Sequence, residues 1–164
     1  SALMKDHVDN LRHKGSPAVA VHSGLSSRQI DIALDNCVYG DVKFLYIAPE
    51  RIASQEFRLR VDRMKVAILA VDEAHCISQW GYDFRPSYLK IAEIRAIIAN
   101  SPSPIAQRAS KNQVPILALT ATATPDVVDD IQEALNGVCA WTLDSVQYED
   151  DTKLIHYTWR WELS

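Results

Sequence analysis

Residues 66–86 read VAILAVDEAHCISQWGYDFRP, and this stretch decides the fold. The apolar run Val66–Val71 is typical of a strand that is buried on both faces of a sheet. Asp72 and Glu73 follow it without an intervening residue. Because open α/β sheets hold their ligands at the carboxyl ends of parallel strands, the stretch predicts such a sheet with two carboxylates at its edge.

The rest of the chain alternates short apolar runs with helical patterns, which is typical of an α/β fold with a parallel sheet flanked by helices. Three further strands are predicted, also in the centre of the sheet: Ala18–His22, Val42–Ala48 and Pro115–Leu119. Four helices are predicted from apolar residues at helical spacing and from Ser or Pro near the first turn: 3–14, 26–38, 86–98 and 124–135. Gly137 is the predicted stop of the last helix.

Two segments are less regular. Residues 100–113 are polar and contain prolines, which predicts a surface loop. Residues 139–164 alternate apolar and polar positions weakly, which predicts one or two terminal strands.

The composition is that of a soluble globular protein, with 48% hydrophobic and 23% charged residues. No apolar run approaches the roughly 20 residues that span a bilayer, and the first residues lack a secretory pattern. We therefore expect a cytoplasmic protein, in the bacterial cytoplasm or nucleoid, with no membrane partner. The three cysteines, Cys37, Cys76 and Cys139, lack paired spacing and are predicted to be reduced thiols rather than disulfides or zinc ligands.

The net charge of −4 is unevenly distributed along the chain. Residues 1–111 carry +3, whereas residues 112–164 carry −7. A phosphate backbone is bound mainly through cations, so any nucleic-acid surface is expected on the first part.

The two carboxylates at the predicted strand end suit nucleotide hydrolysis. That reaction needs one carboxylate to hold Mg²⁺, usually through water, and another to orient or deprotonate the attacking water. Asp72 and Glu73 fit these two roles. Taken alone, an Asp-Glu pair more often only begins a turn, and two further segments argue for the functional interpretation.

The first of these segments is residues 78–86, SQWGYDFRP, which places aromatic rings, a glycine and an arginine in one predicted loop. Such a loop can stack bases and contact phosphates, although aromatic residues are also common in a core. The second is residues 118–123, ALTATA, where hydroxyls end the fourth strand. They could bridge neighbouring strand ends by hydrogen bonds, or could only cap the following helix.

Together these segments resemble the RecQ family of ATP-dependent DNA helicases. The resemblance is carried by DEAHCISQWGYDFRPSY at 72–88, with LMKDHVDNL at 3–11, YIAPER at 46–51 and ALTATAT at 118–124. It covers about residues 3–135. The long aromatic motif is specific to that family, whereas DEAD-box and DEAH-box RNA helicases share only the strand-end carboxylates.

The resemblance implies a 3′-to-5′ DNA helicase of DNA repair or recombination that uses ATP and Mg²⁺. It implies that Asp72 holds Mg²⁺ through water, that Glu73 activates the attacking water, and that both contribute to the ATP site. His75 would link hydrolysis to DNA contact. The implied partner is DNA, especially single-stranded or partly unwound DNA, and the residues that would contact it or couple it to hydrolysis are Lys5, Pro49, Glu50, Arg51, Gln79, Trp80, Tyr82, Phe84, Arg85, Thr120 and Thr122.

The sequence departs from the family in two ways. Tyr82 stands where the family usually has histidine, and none of the five glycines belongs to a GxxxxGK[ST] phosphate-binding loop. We therefore expect residues 1–137 to be a partial RecA-like first motor domain without its first strand and phosphate loop. Residues 138–164 would be strands or a linker toward a second motor domain, and the chain alone is expected not to hydrolyse ATP in response to DNA.

Three other interpretations compete with this one. A relative that has lost ATP turnover and only binds single-stranded DNA or a protein remains open. A DEAH-type RNA helicase is disfavoured by the Trp80–Arg85 loop. A metal hydrolase is disfavoured because the five histidines show no HxH or HxxxH spacing.

Overall fold

A computed structural model describes residues 2–81, 83–99, 114–122, 124–135, 140–149 and 154–162. The chain divides into two compact units. Unit 1 comprises residues 1–66 and 93–113, and unit 2 comprises residues 67–92 and 114–164. The predicted surface loop at 100–113, the helix stop at Gly137 and the thiol of Cys139 lie outside the described residues.

Unit 1 alternates helices and strands in the predicted order. Its elements are α1 (Ala2–His13), β1 (Ala18–Val21), α2 (Ser27–Tyr39), β2 (Phe44–Ile47), α3 (Pro49–Ile52), α4 (Gln55–Val61) and most of α5 (Lys90–Ala99). The cap of α2 was predicted correctly: Ser26 and Gln29 form a reciprocal capping box. The short helices α3 and α4 were not predicted, because each is too short to show helical periodicity.

Unit 2 begins with β3 (Leu69–Val71), followed by two 3₁₀ turns over Ala74–Ile77 and Pro86–Leu89. The helix predicted from Pro86 therefore begins as a 3₁₀ turn and becomes α-helical only at Lys90. β4 (Ile116–Ala118) and α6 (Pro125–Ala134) follow. The predicted terminal strands are present as β5 (Ala140–Glu149) and β6 (Leu154–Glu162).

The strands pair as two sheets. β1 and β2 are parallel in a two-stranded sheet, and β3, β4, β5 and β6 lie in that order in a four-stranded sheet. β3, β4 and β5 are parallel, whereas β5 and β6 are antiparallel with an irregularity between Leu143 and Ser145. The predicted parallel α/β architecture is confirmed, but the placement of all four predicted strands in the centre of one sheet was wrong. Apolar runs mark strands, whereas their pairing depends on hydrogen bonds between segments that are distant in sequence.

Each unit has its own apolar core. In unit 1 the strands and helices bury Val8, Ala18, Val21, Ile30, Leu34, Ile52, Phe57, Val61, Met64, Ile94 and Ile98. In unit 2 the buried residues surround the strand ends: Val71, Ala74, Cys76, Ile77, Tyr88, Ile116, Ala118, Val127, Ile131 and Leu135. Full burial of one such large aliphatic side chain stabilises the fold by about 1.5–3 kcal/mol. The segments at the carboxyl ends of β3 and β4 therefore rest on a well-packed base.

Within the part of the chain that the structure describes, no helix is long and apolar enough to cross a membrane. The predicted division into residues 1–137 and 138–164 stays a prediction.

Candidate nucleotide and nucleic-acid site

The carboxyl ends of β3 and β4 are tied together by backbone hydrogen bonds. The Leu119 amide donates to the Val71 carbonyl at 2.8 Å, and the Ala74 amide donates to the Leu119 carbonyl at 2.9 Å. The two segments that carry the predicted chemistry, one after each strand, therefore lie side by side. This is the edge where a parallel sheet places its ligands.

Both predicted carboxylates are exposed at this edge. The Asp72 Oδ1 accepts a hydrogen bond from the Glu73 amide at 2.9 Å, which orients the Asp72 carboxylate. Glu73 has φ 50° and ψ 44°, a left-handed conformation that is uncommon outside glycine, and it starts the Ala74–Ile77 turn. Its side chain is 61% exposed. Such conformations cluster at functional sites, and this one turns Glu73 toward solvent while Ala74 is fully buried.

His75 joins the acidic segment, which contains Asp72 and Glu73, to the threonine segment, which follows β4 and contains Thr120 and Thr122. Its Nδ1 lies 3.0 Å from the Thr120 Oγ1 and 3.4 Å from the Glu73 Oε2. The Thr122 amide in turn donates to the Thr120 hydroxyl oxygen at 3.3 Å. The same imidazole nitrogen thus contacts the Glu73 carboxylate and the Thr120 hydroxyl. A movement of Thr120 can therefore alter the position of Glu73 through the single side chain of His75.

The aromatic loop leaves the turn beside these residues. Ser78 is fully buried and its hydroxyl oxygen accepts from the Trp80 amide at 3.1 Å, whereas the Trp80 side chain is 81% exposed. An exposed indole of this extent has little packing to hold it, and such rings are typical of binding surfaces. The loop therefore exposes a large flat ring to solvent, while its backbone is held by the hydrogen bond to the buried Ser78.

Gly81 allows the loop to close against the turn. A Cβ atom at this position would lie 2.4 Å from the His75 carbonyl oxygen and 3.1 Å from that of Ser78. Both neighbours are backbone atoms, which cannot move aside without disturbing the turn. The glycine is thus required by the close approach of two backbone segments.

We expect Gly81→Ala to lower the free energy of unfolding by about 1–3 kcal/mol, because the methyl group must displace the backbone at His75. Thermal or urea unfolding measures this loss. Gly24→Ala is the matched control, since a Cβ there meets only the His22 ring at 3.1 Å, which can rotate. Equal stability of the Gly81 variant and the unsubstituted chain would contradict the close approach.

A cavity of about 290 Å³ lies beside the turn and is lined by Glu73, His75, Cys76, Asp83, Arg85 and Tyr88. Hydrogen bonding to Asp83 raises the pKa of the Arg85 guanidinium, whose Nε and Nη2 donate to one Asp83 oxygen at 3.0 and 2.5 Å. Arg85 was predicted to contact DNA, and here any phosphate must compete with Asp83 for it. Burial raises the pKa of Tyr88 to about 12, so its hydroxyl stays protonated and donates to the Asp72 carbonyl at 3.2 Å.

The two segments of unit 1 that were predicted to contact DNA also lie beside each other. Lys5 is exposed on α1, and residues 49–51 begin α3 one residue after the end of β2. The His7 ring stacks on the Tyr46 ring with centroids 5.7 Å apart and planes 6° apart, which holds α1 against β2. This contact was not predicted, since the two rings are 39 positions apart and nothing in the sequence around either residue points to the other.

The residues present fit Mg²⁺ held by a single protein ligand. Among the described residues, no cluster of three or more His, Cys, Asp or Glu side chains could enclose a metal ion. Mg²⁺ commonly keeps several waters and takes only one or two carboxylates together with substrate phosphates. The exposed and oriented carboxylate of Asp72 meets that requirement.

Most of the predicted site residues of unit 2 are brought together by the structure. Asp72, Glu73, His75, Thr120 and Thr122 form one group of neighbouring polar contacts. Gln79 and Trp80 are exposed and Phe84 is half-buried in the adjoining loop. Tyr82 lies outside the described residues. The roles of all these residues stay predictions.

Two of the three cysteines lie in the described residues, and their predicted reduced state stays a prediction. Cys76 is buried and Cys37 is half-buried, and both are free. Burial raises the pKa of the Cys37 thiol to about 11 and also raises that of Cys76, which disfavours the thiolate form of both.

Comparison with known proteins agrees with this geometry. The DEAD/DEAH box helicase family matches residues 1–131. An ATP-dependent DNA helicase RecQ of Bacillus subtilis is 43% identical over 82% of this chain and 21% of its own length. The Haemophilus influenzae protein of the same name is 36% identical over 82% of this chain and 20% of its own length. The mouse ATP-dependent DNA helicase Q5 is 38% identical over 82% of this chain and 13% of its own length.

The segment that follows β4 thus contacts His75, which lies close in the chain to the acidic pair at the end of β3. The chain belongs to the DEAD/DEAH box helicase family. The RecQ resemblance seen in the sequence is confirmed by these relatives, as is the partial RecA-like fold class. The chain spans about a fifth of the length of the RecQ relatives it matches.

Proposed function

We propose that this chain forms part of the first motor domain of an ATP-dependent DNA helicase that moves 3′-to-5′ and acts in DNA repair or recombination. The names of its relatives, ATP-dependent DNA helicases, support the activity and the substrate. The protein would work inside the cell where DNA is found, in the cytoplasm or nucleoid of a bacterium.

The observation that carries the proposal is the contact between His75 and Thr120 at 3.0 Å. It joins the residues suited to nucleotide hydrolysis with the segment that follows β4, on the same turn that holds the exposed ring of Trp80. A motor needs such a link, because DNA binding must change the rate of hydrolysis. A protein that only bound DNA would not need a carboxylate and a hydroxyl in contact with the same imidazole nitrogen.

In this proposal Asp72 holds Mg²⁺ through water, and the ion neutralises charge on the ATP phosphates when bound. Glu73 takes the proton of the attacking water, for which its exposed and turned side chain is suited. Unpaired DNA stacks on the indole of Trp80, with Phe84 and Gln79 beside it. Lys5 and residues 49–51 contact the backbone of a strand, in keeping with the excess of basic residues in the first part of the chain.

We expect Thr120→Val to weaken the response of ATP hydrolysis to DNA in the full protein that contains this chain. The stimulation should fall roughly threefold to tenfold, which corresponds to the free energy of one lost hydrogen bond. Valine keeps the shape of threonine and removes only the hydroxyl that meets His75. ATPase assays at saturating single-stranded DNA measure the effect.

Thr124→Val is the matched control. Thr124 is exposed and precedes α6 without forming a side-chain cap, so its hydroxyl has no comparable role. If both threonine variants keep full DNA stimulation, the link between His75 and Thr120 does not couple the two activities.

A further inference from the structure

A hydrogen-bonded chain runs from helix α6 to the aromatic loop. The hydroxyl of Ser78 donates to the Asp130 Oδ2 of α6, and its oxygen accepts from the Trp80 amide at 3.1 Å. Both contacts are made by a fully buried hydroxyl, which has one proton to give and lone pairs to receive. Because the proton is directed at a carboxylate, the lone pair facing the Trp80 amide is held in place.

The indole of Trp80 depends on this backbone contact for its position. Its ring is 81% exposed and so gains little from packing. The loop is fixed instead by the Trp80 and Gly81 amides, which donate to the Ser78 hydroxyl oxygen and to the Ser78 carbonyl at 3.1 Å each. Ser78 is therefore the anchor of the loop, and Asp130 is the group that orients the anchor.

Helix α6 starts directly after the threonine segment. The backbone runs from Thr120, which contacts His75, through Thr124 at the helix start to Asp130. Val127 and Ile131 on the same helix are buried within unit 2. Two side chains of the segment that follows β4 thus reach residues 73–81: the Thr120 hydroxyl contacts His75, and the Asp130 carboxylate accepts from Ser78.

We infer that Asp130 is a positioning residue that sets the conformation of the Trp80 loop through Ser78, so that α6 and the loop move together. The inference rests on the proposed function in one respect: the position of the loop affects how ATP hydrolysis responds to DNA only if the protein is a DNA-stimulated motor. Asp130 itself touches neither nucleotide nor DNA in this scheme. The expected effect of its loss is a higher DNA requirement with little change in hydrolysis without DNA.

The first test uses the full protein labelled with 5-fluorotryptophan, in which Trp80→Phe identifies the Trp80 fluorine resonance. We expect Asp130→Ala and Ser78→Ala to shift or broaden that resonance. Asp129→Ala is the matched control, because Asp129 is the exposed neighbour on the same helix and carries the same charge. Asp130→Asn keeps an acceptor for the Ser78 hydroxyl and should restore most of the original resonance even if the alanine variant folds poorly.

The second test measures the DNA concentration that gives half-maximal stimulation of ATP hydrolysis. Asp130→Ala should raise it about tenfold, the usual effect of losing a hydrogen bond to a charged group, and Asp130→Asn should raise it less. An unchanged Trp80 resonance in Asp130→Ala and Ser78→Ala, or the same change in Asp129→Ala, would overturn the inference. A changed resonance together with no effect of Trp80→Ala on the DNA response would instead support the positioning role and refute the proposed role of the loop.

Discussion

Glu73→Gln in the full protein is expected to reduce ATP hydrolysis by roughly 100- to 10,000-fold, the range that a general base contributes. Glutamine has nearly the same shape as glutamate but cannot take a proton from water. Nucleotide binding should remain, because Asp72 and not Glu73 is assigned to Mg²⁺. Steady-state ATPase assays and equilibrium binding of a fluorescent nucleotide measure the two effects separately.

The matched control is Glu133→Gln, which removes an exposed carboxylate from α6 in the same unit. It should hydrolyse ATP at the unsubstituted rate. Loss of nucleotide binding in Glu73→Gln would indicate that Glu73 helps to hold Mg²⁺. Retained hydrolysis would remove Glu73 from the role of base.

Trp80→Ala should break the response to DNA while leaving the fold intact. Stacking of one base on an aromatic side chain is worth about 1–3 kcal/mol. We therefore expect a roughly 5- to 150-fold higher DNA concentration for half-maximal stimulation of ATP hydrolysis. Because the ring is 81% exposed, the free energy of unfolding should change little. DNA titrations of the ATPase rate and thermal unfolding provide the two measurements.

Two variants make this test specific. Trp80→Phe keeps a stacking ring and should retain most of the response. Tyr39→Ala removes another exposed ring, which lies under Arg63 in unit 1, and should leave the DNA response unchanged. A strongly destabilised Trp80→Ala protein, or one with a normal DNA response, would show that the indole is a packing residue.

The candidate site was largely predictable from sequence because its residues are local. Asp72, Glu73, His75 and Trp80 lie within one short stretch after one apolar run, and the threonines follow another. Parallel strands place their carboxyl ends at one edge, so the proximity of the two segments followed from the strand predictions. The hydrogen bond between His75 and Thr120 confirms that the two segments lie close together.

Other contacts could not be read from the sequence. The stack of His7 on Tyr46, the pair of Arg85 with Asp83 and the contact of Ser78 with Asp130 each depend on side-chain directions. The Arg85 pair also changes an expectation, since a cation predicted to meet phosphate already has an acidic neighbour. The left-handed conformation of Glu73 was equally invisible, because glutamate shows no preference for it.

The positions of the strands and of most helices, and the family, could be predicted from the sequence, because periodicity, capping residues and contiguous motifs are local properties. Three features were visible only in the tertiary structure: the strands pair as two sheets, Gly81 lies too close to the His75 carbonyl oxygen for a side chain, and the Asp130 carboxylate of α6 accepts a hydrogen bond from Ser78. These features arise from hydrogen bonds and close contacts between segments distant in sequence, whose partners are chosen when the chain packs.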